Sequence, residues 1–355
     1  MEDFGKVVSR NIFFKILNII LIFSFVKSSG DLDKYILIMS ALPLCSAVFL
    51  WPFLKEIVGP PDIKNIRPFN DFQSILSMFI PALAISIYTV LDKTMIGFFS
   101  AEGKYENGYY EQSVKISKTA LTIITAMGTV MAPRVGYHYE KNEMDAVRVY
   151  IYRSFRFVWM IGIPLCFGLI GISSSFVPWF YGRGYEKCIL LLKILSVLIP
   201  VIGISNVTGI QYLVPSKRQG ILTGTVLAGA VFNFVINLLL IPKFFSAGAA
   251  AASVMAEGLI SCIQLYIVRR ELSVKKILLS SLNYFFAGIV MLAVLLVTGR
   301  FIKPSAAGTV ILILTGSMVY FFILKIIRDD FYLAQKEKLW KKVRYKKRES
   351  RNEDI

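Results

Sequence analysis

The chain has 355 residues, of which 55% are hydrophobic and 18% are charged, and its mean hydropathy is +0.62. Soluble domains carry about a quarter charged residues, so this composition excludes an ordinary soluble protein. The formal net charge of +17 requires no nucleic-acid partner, because most of the Lys and Arg residues lie in predicted loops and in the C-terminal tail.

Apolar stretches of about 20 residues, long enough to cross a bilayer, recur along the chain and predict an all-α, polytopic transmembrane helical bundle. Open sheets are excluded in such a protein, because lipid would leave their backbone groups unpaired. The loops on one side carry roughly twice as many Lys and Arg as those on the other, which predicts that both termini are cytoplasmic. About ten spans are predicted, at 11–27, 34–54, 72–98, 109–132, 153–179, 188–213, 219–241, 246–268, 277–299 and 305–327.

The third and fourth predicted spans carry charges at unusual depth. The third contains the adjacent pair Asp92 and Lys93 in "YTVLDKTMIG", and the fourth contains Glu111, Lys115 and Lys118. A lysine that faced lipid near the bilayer centre would cost about 2.5–3.5 kcal/mol. We therefore expect these lysines to face the interior of the bundle or a wet cavity.

The polar residues of the fourth span form one stripe along a helix. Spacings that alternate between four and three residues place six side chains on one face: Glu111, Lys115, Lys118, Thr122, Thr125 and Thr129. One interpretation is a salt-bridge lattice joining two helices, with Asp92 paired to a lysine and Glu111 to Lys115. Because two acids cannot neutralise three lysines, we favour a cationic pocket for an anionic substrate group, formed by Lys93, Lys115 and Lys118.

Other polar and small residues within spans give weaker signals. Asn233 and Asn237 are four residues apart on one helix face, which suits interhelical hydrogen bonding and substrate contact equally. Glu257 is an isolated acid in a helix of small residues. Gly220 and Gly224 have the GxxxG spacing, which predicts close packing against another helix.

Motifs for catalysis and metal binding are missing from the sequence. The four cysteines form no CxxC pair and the chain has one histidine, so neither a metal site nor a cofactor is predicted. No GxxxxGK[ST] loop is present, which argues against ATP hydrolysis by this chain. Asp31 and Asp33 have the DxD spacing of some metal-binding sites, but we interpret them as a solvated turn. The protein is therefore predicted not to be an enzyme.

Three segments resemble the Wzx-type flippases of bacterial surface polysaccharides, which belong to the multidrug/oligosaccharidyl-lipid/polysaccharide (MOP) exporter superfamily. The segments are "FIPALAISIYTVLDKTMIG", "GYYEQSVKI" and "NFVINLLLIPKFFSAGAAAASVMAE", and the resemblance extends from residue 1 to about residue 330. It implies a two-lobed helical transporter with about six spans per lobe. Residues 1–69 would be the last two spans of the first lobe, 70–270 the complete second lobe, 271–328 two additional spans, and 329–355 a basic cytoplasmic tail. About four further N-terminal spans are usual in the family, so we expect an N-terminally truncated chain.

The resemblance also implies a function. The chain would move an undecaprenyl-pyrophosphate-linked oligosaccharide repeat unit across the bacterial cytoplasmic membrane by alternating access, for capsule, O-antigen or exopolysaccharide synthesis. Lys93, Lys115 and Lys118 would bind the pyrophosphate. The acids that would hold the lysines or couple transport to a proton or sodium ion are Asp92, Glu111 and Glu257. The candidates for contact with the glycan are Tyr88, Tyr109, Tyr110, Thr122, Thr125, Asn233 and Asn237.

The expected partners are the lipid-linked oligosaccharide, membrane lipids and the polysaccharide polymerase machinery. Two alternative functions stay open. A drug- or metabolite-efflux antiporter of the same superfamily would favour buried acids for cationic substrates, whereas buried bases outnumber acids here. A membrane glycosyltransferase or polymerase would need a larger platform than the predicted outer loops, which have about ten residues or fewer.

Overall fold

The computed structural model describes residues 4–49, 90–100 and 103–337, together with Phe72, Leu76 and Phe79. The chain divides into two compact units, Met1–Asp71 and Phe72–Ile355. All regular secondary structure in the described residues is helical, which confirms the predicted fold class.

The first unit contains a helical hairpin. Helix α1 (Phe4–Phe25) and helix α2 (Leu32–Val48) pack against each other and are joined by a short 3-10 turn, Ser29–Asp31. Helix α1 overlaps the predicted span 11–27, and helix α2 overlaps the predicted span 34–54. Helix α2 has 17 residues, and that these two helices cross the membrane stays a prediction.

The turn of this hairpin is organised by Asp31. Its carboxylate accepts the backbone N–H groups of Lys27 and Ser28 at 3.2 and 3.1 Å, and the Nζ of Lys34 lies at 2.7 Å. The Lys34 ion pair, followed by these hydrogen bonds, holds the pKa of Asp31 well below its ordinary value. Asp31 therefore shapes the turn between two helices, which supports the interpretation of the DxD spacing as a turn.

The second unit is a bundle of longer helices. A π-helical segment, Asn206–Leu213, directly continues the helix Leu198–Ser205 and interrupts the regular winding there. The helices of this unit are α3 (90–99), α4 (Gly103–Glu140), α5 (Met144–Phe180), α6 (Lys187–Leu195), α7 (Leu198–Ser205), α8 (Gln219–Phe244), α9 (Ser246–Val268), α10 (Val274–Leu279), α11 (Leu282–Thr298), α12 (Ala306–Ile326) and α13 (330–337).

Six stretches of this unit are long and apolar enough to cross a membrane. They coincide with the last six predicted spans, so this part of the polytopic architecture is confirmed. The predicted total of about ten spans stays a prediction, as does the division into lobes. The six stretches are Met144–Phe180, Lys187–Leu213, Gln219–Phe244, Ser246–Val268, Val274–Thr298 and Ala306–Ile326.

A buried polar network joins the C-terminal helices to α5. The Arg156 guanidinium lies 3.0 Å from the Asp329 carboxylate, which also accepts a hydrogen bond from the Tyr284 hydroxyl at 2.9 Å. Tyr320 on α12 donates to the backbone carbonyl of Met160 at 3.1 Å. These contacts connect α11, α12 and the segment that follows α12 to α5. The last two spans, α11 and α12, therefore pack together on α5.

The glycines of the α8–α9 hairpin correct one prediction. A Cβ atom built on Gly220 or Gly224 meets no described heavy atom within 4 Å, so their GxxxG spacing marks no close approach in the described structure. The close approach lies further along, where a Cβ on Gly248 would lie 2.5 Å from the carbonyl oxygen of Leu240. Gly248 therefore allows the first turn of α9 to fold back against the end of α8.

Candidate functional site

Asp92 lies at the centre of a buried polar cluster that connects four helices. Its side chain on α3 is 1% exposed. One carboxylate oxygen accepts hydrogen bonds from the Tyr110 hydroxyl at 2.8 Å and the Ser253 hydroxyl at 2.9 Å, and the other accepts one from the Asn237 amide at 2.6 Å. The same amide lies 3.0 Å from Asn233 Oδ1. We call these five residues the Asp92 hub; it joins α3, α4, α8 and α9.

The Asp92 hub corrects three sequence-based assignments. Asp92 forms no ion pair with any described lysine, so it does not tether Lys93. Asn233 and Asn237 are fully buried and Tyr110 is 3% exposed, so they are placed for interhelical hydrogen bonding and not for contact with a glycan. The physical reason is that consecutive residues are rotated by about 100° around a helix, so Asp92 and Lys93 point in different directions.

Glu111 is the acid that holds the lysines. It forms ion pairs with Lys93 from α3 and with Lys115, whose Nζ lies 3.8 Å from Glu111 Oε1. The side chains of Lys93 and Lys115 remain 41% and 61% exposed. Lys118, one turn further along α4, is also exposed and pairs with no described acid. We call Lys93, Glu111, Lys115 and Lys118 the lysine surface; three cations and one anion give it a net positive charge.

The lysine surface continues into a cavity of about 400 Å³. Lys118, Thr122 and Thr125 from α4 line one side, and Glu257 from α9 lines the other. Four residues that the sequence placed in the site are thus brought together, and we call this space the Glu257 cavity. The threonine hydroxyls donate to carbonyls of their own helix, for example Thr122 to Thr119 O at 2.6 Å, which leaves their oxygen lone pairs directed outward.

Three further polar residues of the Glu257 cavity were not predicted. Ser205 and Asn206 stand where α7 passes into the π-helical segment, and Gln264 faces them from α9. Gln264 is itself oriented by hydrogen bonds with the hydroxyls of Thr208 and Thr225, at 2.5 and 3.1 Å. The signal in the sequence for Asn206 and Gln264 was the presence of amides inside apolar spans, where an unpaired polar group is costly; Ser205 gave no comparable signal.

A second buried carboxylate, that of Glu106, lies near the start of α4 and connects this helix to two others. Glu106, 5% exposed, accepts hydrogen bonds from the backbone N–H and the hydroxyl of Ser246, at 3.1 and 2.5 Å, and pairs with Lys187. This cluster ties α4 to α6 and to the first residue of α9. Together with the Asp92 hub it holds a face of α4 that is different from the one carrying the lysine surface.

Tyr109 and Tyr88 are the two remaining aromatic candidates for contact with a glycan. Tyr109 is half-buried and packs edge-on against Tyr185, with ring centroids 5.7 Å apart. It contributes to the apolar packing of α4 against α6. Tyr88 lies outside the described residues.

Several known proteins are similar to this chain in sequence. Residues 36–190 match a family described as "Polysaccharide biosynthesis protein". A "Probable low-salt glycan biosynthesis flippase" of Haloferax volcanii is 22% identical over 253 residues, which cover 71% of this chain and 52% of that protein. A "Putative O-antigen transporter" of Escherichia coli K12 is 25% identical over 194 residues, covering 55% and 46%. The chain thus spans about half the length of these curated relatives.

Solved structures show the same fold. The lipid II flippase MurJ in an inward closed conformation matches 90% of this chain and 66% of its own, with a TM-score of 0.66 and 17% identity. An outward-facing multidrug transporter of the MATE family, of the MOP superfamily, matches 70% and 63%, with a TM-score of 0.50 and 15% identity. The chain is therefore a multi-pass membrane protein with the helical fold of these transporters.

Proposed function

We propose that this chain, which resembles the Wzx-type flippases of the MOP superfamily, translocates a lipid-linked oligosaccharide across the bacterial cytoplasmic membrane. The substrate would be an undecaprenyl-pyrophosphate-linked repeat unit for capsule, O-antigen or exopolysaccharide synthesis, moved by alternating access. This is supported by two relatives, one named a "Probable low-salt glycan biosynthesis flippase" and the other a "Putative O-antigen transporter", and by the likeness of the fold to that of the lipid II flippase MurJ. The chain would act as a transporter and not as an enzyme, with both termini in the cytoplasm and the polysaccharide polymerase machinery as a partner.

The observation that carries this proposal is the net positive lysine surface. Glu111 neutralises one charge at most, and Asp92 lies away from the lysines in its own hub, so the positive excess is larger than the sequence indicated. Exposed lysines at the depth of a membrane span are costly unless they meet water or an anion. A pyrophosphate carries the opposite charge and several acceptor oxygens, which suits Lys93, Lys115 and Lys118.

The Glu257 cavity supports an oligosaccharide as the attached group. It adjoins Lys118, so a substrate whose pyrophosphate met the lysine surface would place its first sugars beside Thr122 and Thr125. Hydroxyl and amide groups line this space, and such groups exchange hydrogen bonds with sugar hydroxyls at little net cost. A cationic drug is a poorer fit, because Lys118 borders the same cavity as Glu257.

We further propose Asp92 as the acid that couples transport to an ion. Its carboxylate is buried and no described cation neutralises it, and an uncompensated buried charge costs several kcal/mol. A proton or a sodium ion would remove that cost, and the oxygens of Tyr110, Ser253 and Asn233 lie around the carboxylate. Glu111 and Glu257, which face the lysine surface and the cavity, would instead position the substrate.

The test is leaflet-resolved transport. Proteoliposomes containing the purified chain and a lipid-linked oligosaccharide are sampled with an impermeant glycan-modifying reagent, with binding of undecaprenyl pyrophosphate measured separately by native mass spectrometry. Lys93→Ala and Lys118→Ala should each weaken pyrophosphate binding by about tenfold, the effect of losing one charge-assisted contact. Lys104→Ala, on α4 but outside the lysine surface, is the matched control and should bind normally.

Three results would contradict the proposal. Full binding by a Lys93→Ala, Lys118→Ala double variant would remove the lysine surface from substrate recognition. Normal polysaccharide export in a deletion strain, together with resistance to cationic dyes on overexpression, would favour an efflux antiporter. Glycosyl transfer by the purified chain without translocation would favour an enzyme.

A further inference from the structure

A second cationic groove lies at the end of the bundle opposite the Arg156–Asp329 network. It has a volume of about 570 Å³ and is formed where the end of α5 meets the turn between α11 and α12. Arg300 and Lys303 stand in this turn, and both are exposed. By the Lys and Arg bias of the loops, this end is predicted to face away from the cytoplasm.

The helices diverge here from a point of close contact. A Cβ on Gly171 of α5 would lie 2.9 Å from Leu295 Cβ of α11, so the two helices touch at this level. Beyond it the groove opens, with Leu295, Leu296 and Ile302 as an apolar floor. The indole of Trp179 donates to the hydroxyl of Thr309 at 2.7 Å and closes the α5–α12 side.

The polar groups of the groove lack partners of their own. Ser175, 6% exposed, belongs to the groove lining, and its buried hydroxyl has no hydrogen-bond partner among the described residues. Arg300 and Lys303 form no ion pair in the described part of the chain, and the groove lining contains no acid there. An unpaired buried hydroxyl beside two unneutralised cations is the arrangement that an anion with several acceptor oxygens would complete.

The position of the groove selects a lipid as the source of that anion. Phe301, between the two cations in sequence, is 84% exposed, and a large exposed apolar side chain at the end of a membrane span is suited to the bilayer interface. The apolar floor continues the faces of the spans that end at Thr298 and begin at Ala306. A phosphate-bearing lipid headgroup would therefore meet Arg300 and Lys303, while its glycerol and upper acyl carbons would cover the floor.

We propose that this groove binds the phosphate headgroup of an anionic membrane lipid in the leaflet opposite the Arg156–Asp329 network. The site is separate from the lysine surface and does not depend on the function proposed above. The α11–α12 hairpin packs chiefly on α5 among the described long helices, and the bound lipid would give it a defined contact with the bilayer.

The experiment measures lipid binding to the purified 355-residue chain by native mass spectrometry. Phosphatidylglycerol is the probe, phosphatidylcholine is the neutral reference, and inorganic phosphate is the competitor. Each of the two cations attracts the anionic headgroup. An Arg300→Gln, Lys303→Gln double variant should therefore lower the preference for phosphatidylglycerol over phosphatidylcholine by about tenfold or more. The charge-conserving Arg300→Lys, Lys303→Arg variant should retain it.

The controls separate this site from general surface charge and from misfolding. Arg183→Gln removes an exposed arginine that follows α5 but lies outside the groove, and should leave the preference unchanged. Lys303→Gln alone, at an exposed turn position, gives a smaller loss in the same direction if the double variant does not fold. An unchanged preference in both glutamine variants, an equal loss in Arg183→Gln, or displacement of the lipid by equimolar inorganic phosphate would each overturn the proposal.

Discussion

Replacing Asp92 tests the structural role of the Asp92 hub. Asp92→Ala deprives three buried donors, from Tyr110, Ser253 and Asn237, of their acceptor. Asn237 keeps its hydrogen bond to Asn233 Oδ1, and the hydroxyls of Tyr110 and Ser253 lie 3.1 Å apart, so one of them can donate to the other. One buried hydroxyl donor is then left without an acceptor, which costs about 1–3 kcal/mol, and the lost carboxylate packing adds to this while removal of an uncompensated buried charge offsets part of it. We therefore expect the free energy of unfolding to fall by about 1–3 kcal/mol.

Asp92→Asn should behave differently from Asp92→Ala. The new amide keeps one oxygen as an acceptor for Tyr110 and Ser253, and its nitrogen can donate to Asn237 once that side-chain amide rotates by half a turn. The rotation breaks the hydrogen bond from Asn237 Nδ2 to Asn233 Oδ1, but a matching rotation of Asn233, whose Nδ2 has no partner among the described residues, restores one from Asn233 Nδ2 to Asn237 Oδ1. The expected loss is below about 1 kcal/mol, although ion-dependent transport should disappear under the proposed function.

The assay is unfolding in mixed micelles, followed by helical circular dichroism during titration with a denaturing detergent. Asp145→Ala is the control, because Asp145 is an exposed acid paired with Arg148, and such pairs contribute about 1 kcal/mol at most. A loss for Asp92→Ala no larger than that of the control would refute the hub as a stabilising network. Equal losses in the free energy of unfolding for Asp92→Ala and Asp92→Asn would show that the hydrogen bonds of the hub are not the source of its stabilising effect.

Two further predictions concern the packing and the pH dependence of the second unit. Gly248→Ala should destabilise the protein in the same assay, because its Cβ would lie 2.5 Å from the backbone oxygen of Leu240. Gly224→Ala is the control: its Cβ would meet no described heavy atom within 4 Å, so this variant should be neutral or stabilising. Burial opposes ionisation of Glu271 in the loop after α9, but the two-pronged contact with Arg218, at 2.7 and 2.8 Å, lowers its pKa below 4.5 overall. Because the pKa of Glu271 is lower in the folded state, its ionised form adds stability that is present above pH 4.5 and is lost as the pH falls further. Glu271→Gln should therefore make the free energy of unfolding less dependent on pH below 4.5. An unchanged pH dependence in that range would contradict this.

Long apolar runs were sufficient to predict the membrane architecture. Spans predicted at 219–241, 246–268 and 305–327 end within a few residues of α8, α9 and α12. The predicted span 188–213, however, is divided in the structure into α6, α7 and the π-helical segment. An unbroken apolar run carries no periodicity, so the sequence did not reveal where the helix changes its winding.

The candidate site was predicted in part, and the errors have one cause. The stripe from Glu111 to Thr125 was correctly placed on one helix face, because positions three and four apart must share a side. What the sequence could not supply was the rotation of α3 relative to α4. That rotation sends Asp92 into a buried cluster with Asn237 and leaves Lys93 beside Glu111.

The adjacency of Asp92 and Lys93 also suggests how the two parts of the site communicate. Both residues belong to the same turn of α3, so a small rotation or shift of that turn moves both side chains. Under the proposed function, an ion that occupies the Asp92 hub changes the hydrogen bonds that hold α3 against α8 and α9. The same displacement alters the contact between Lys93 and Glu111, and with it the charge offered to the substrate. A single helical turn with a buried acid and an exposed base can therefore couple ion occupancy to pyrophosphate binding without any contact between the two ligands.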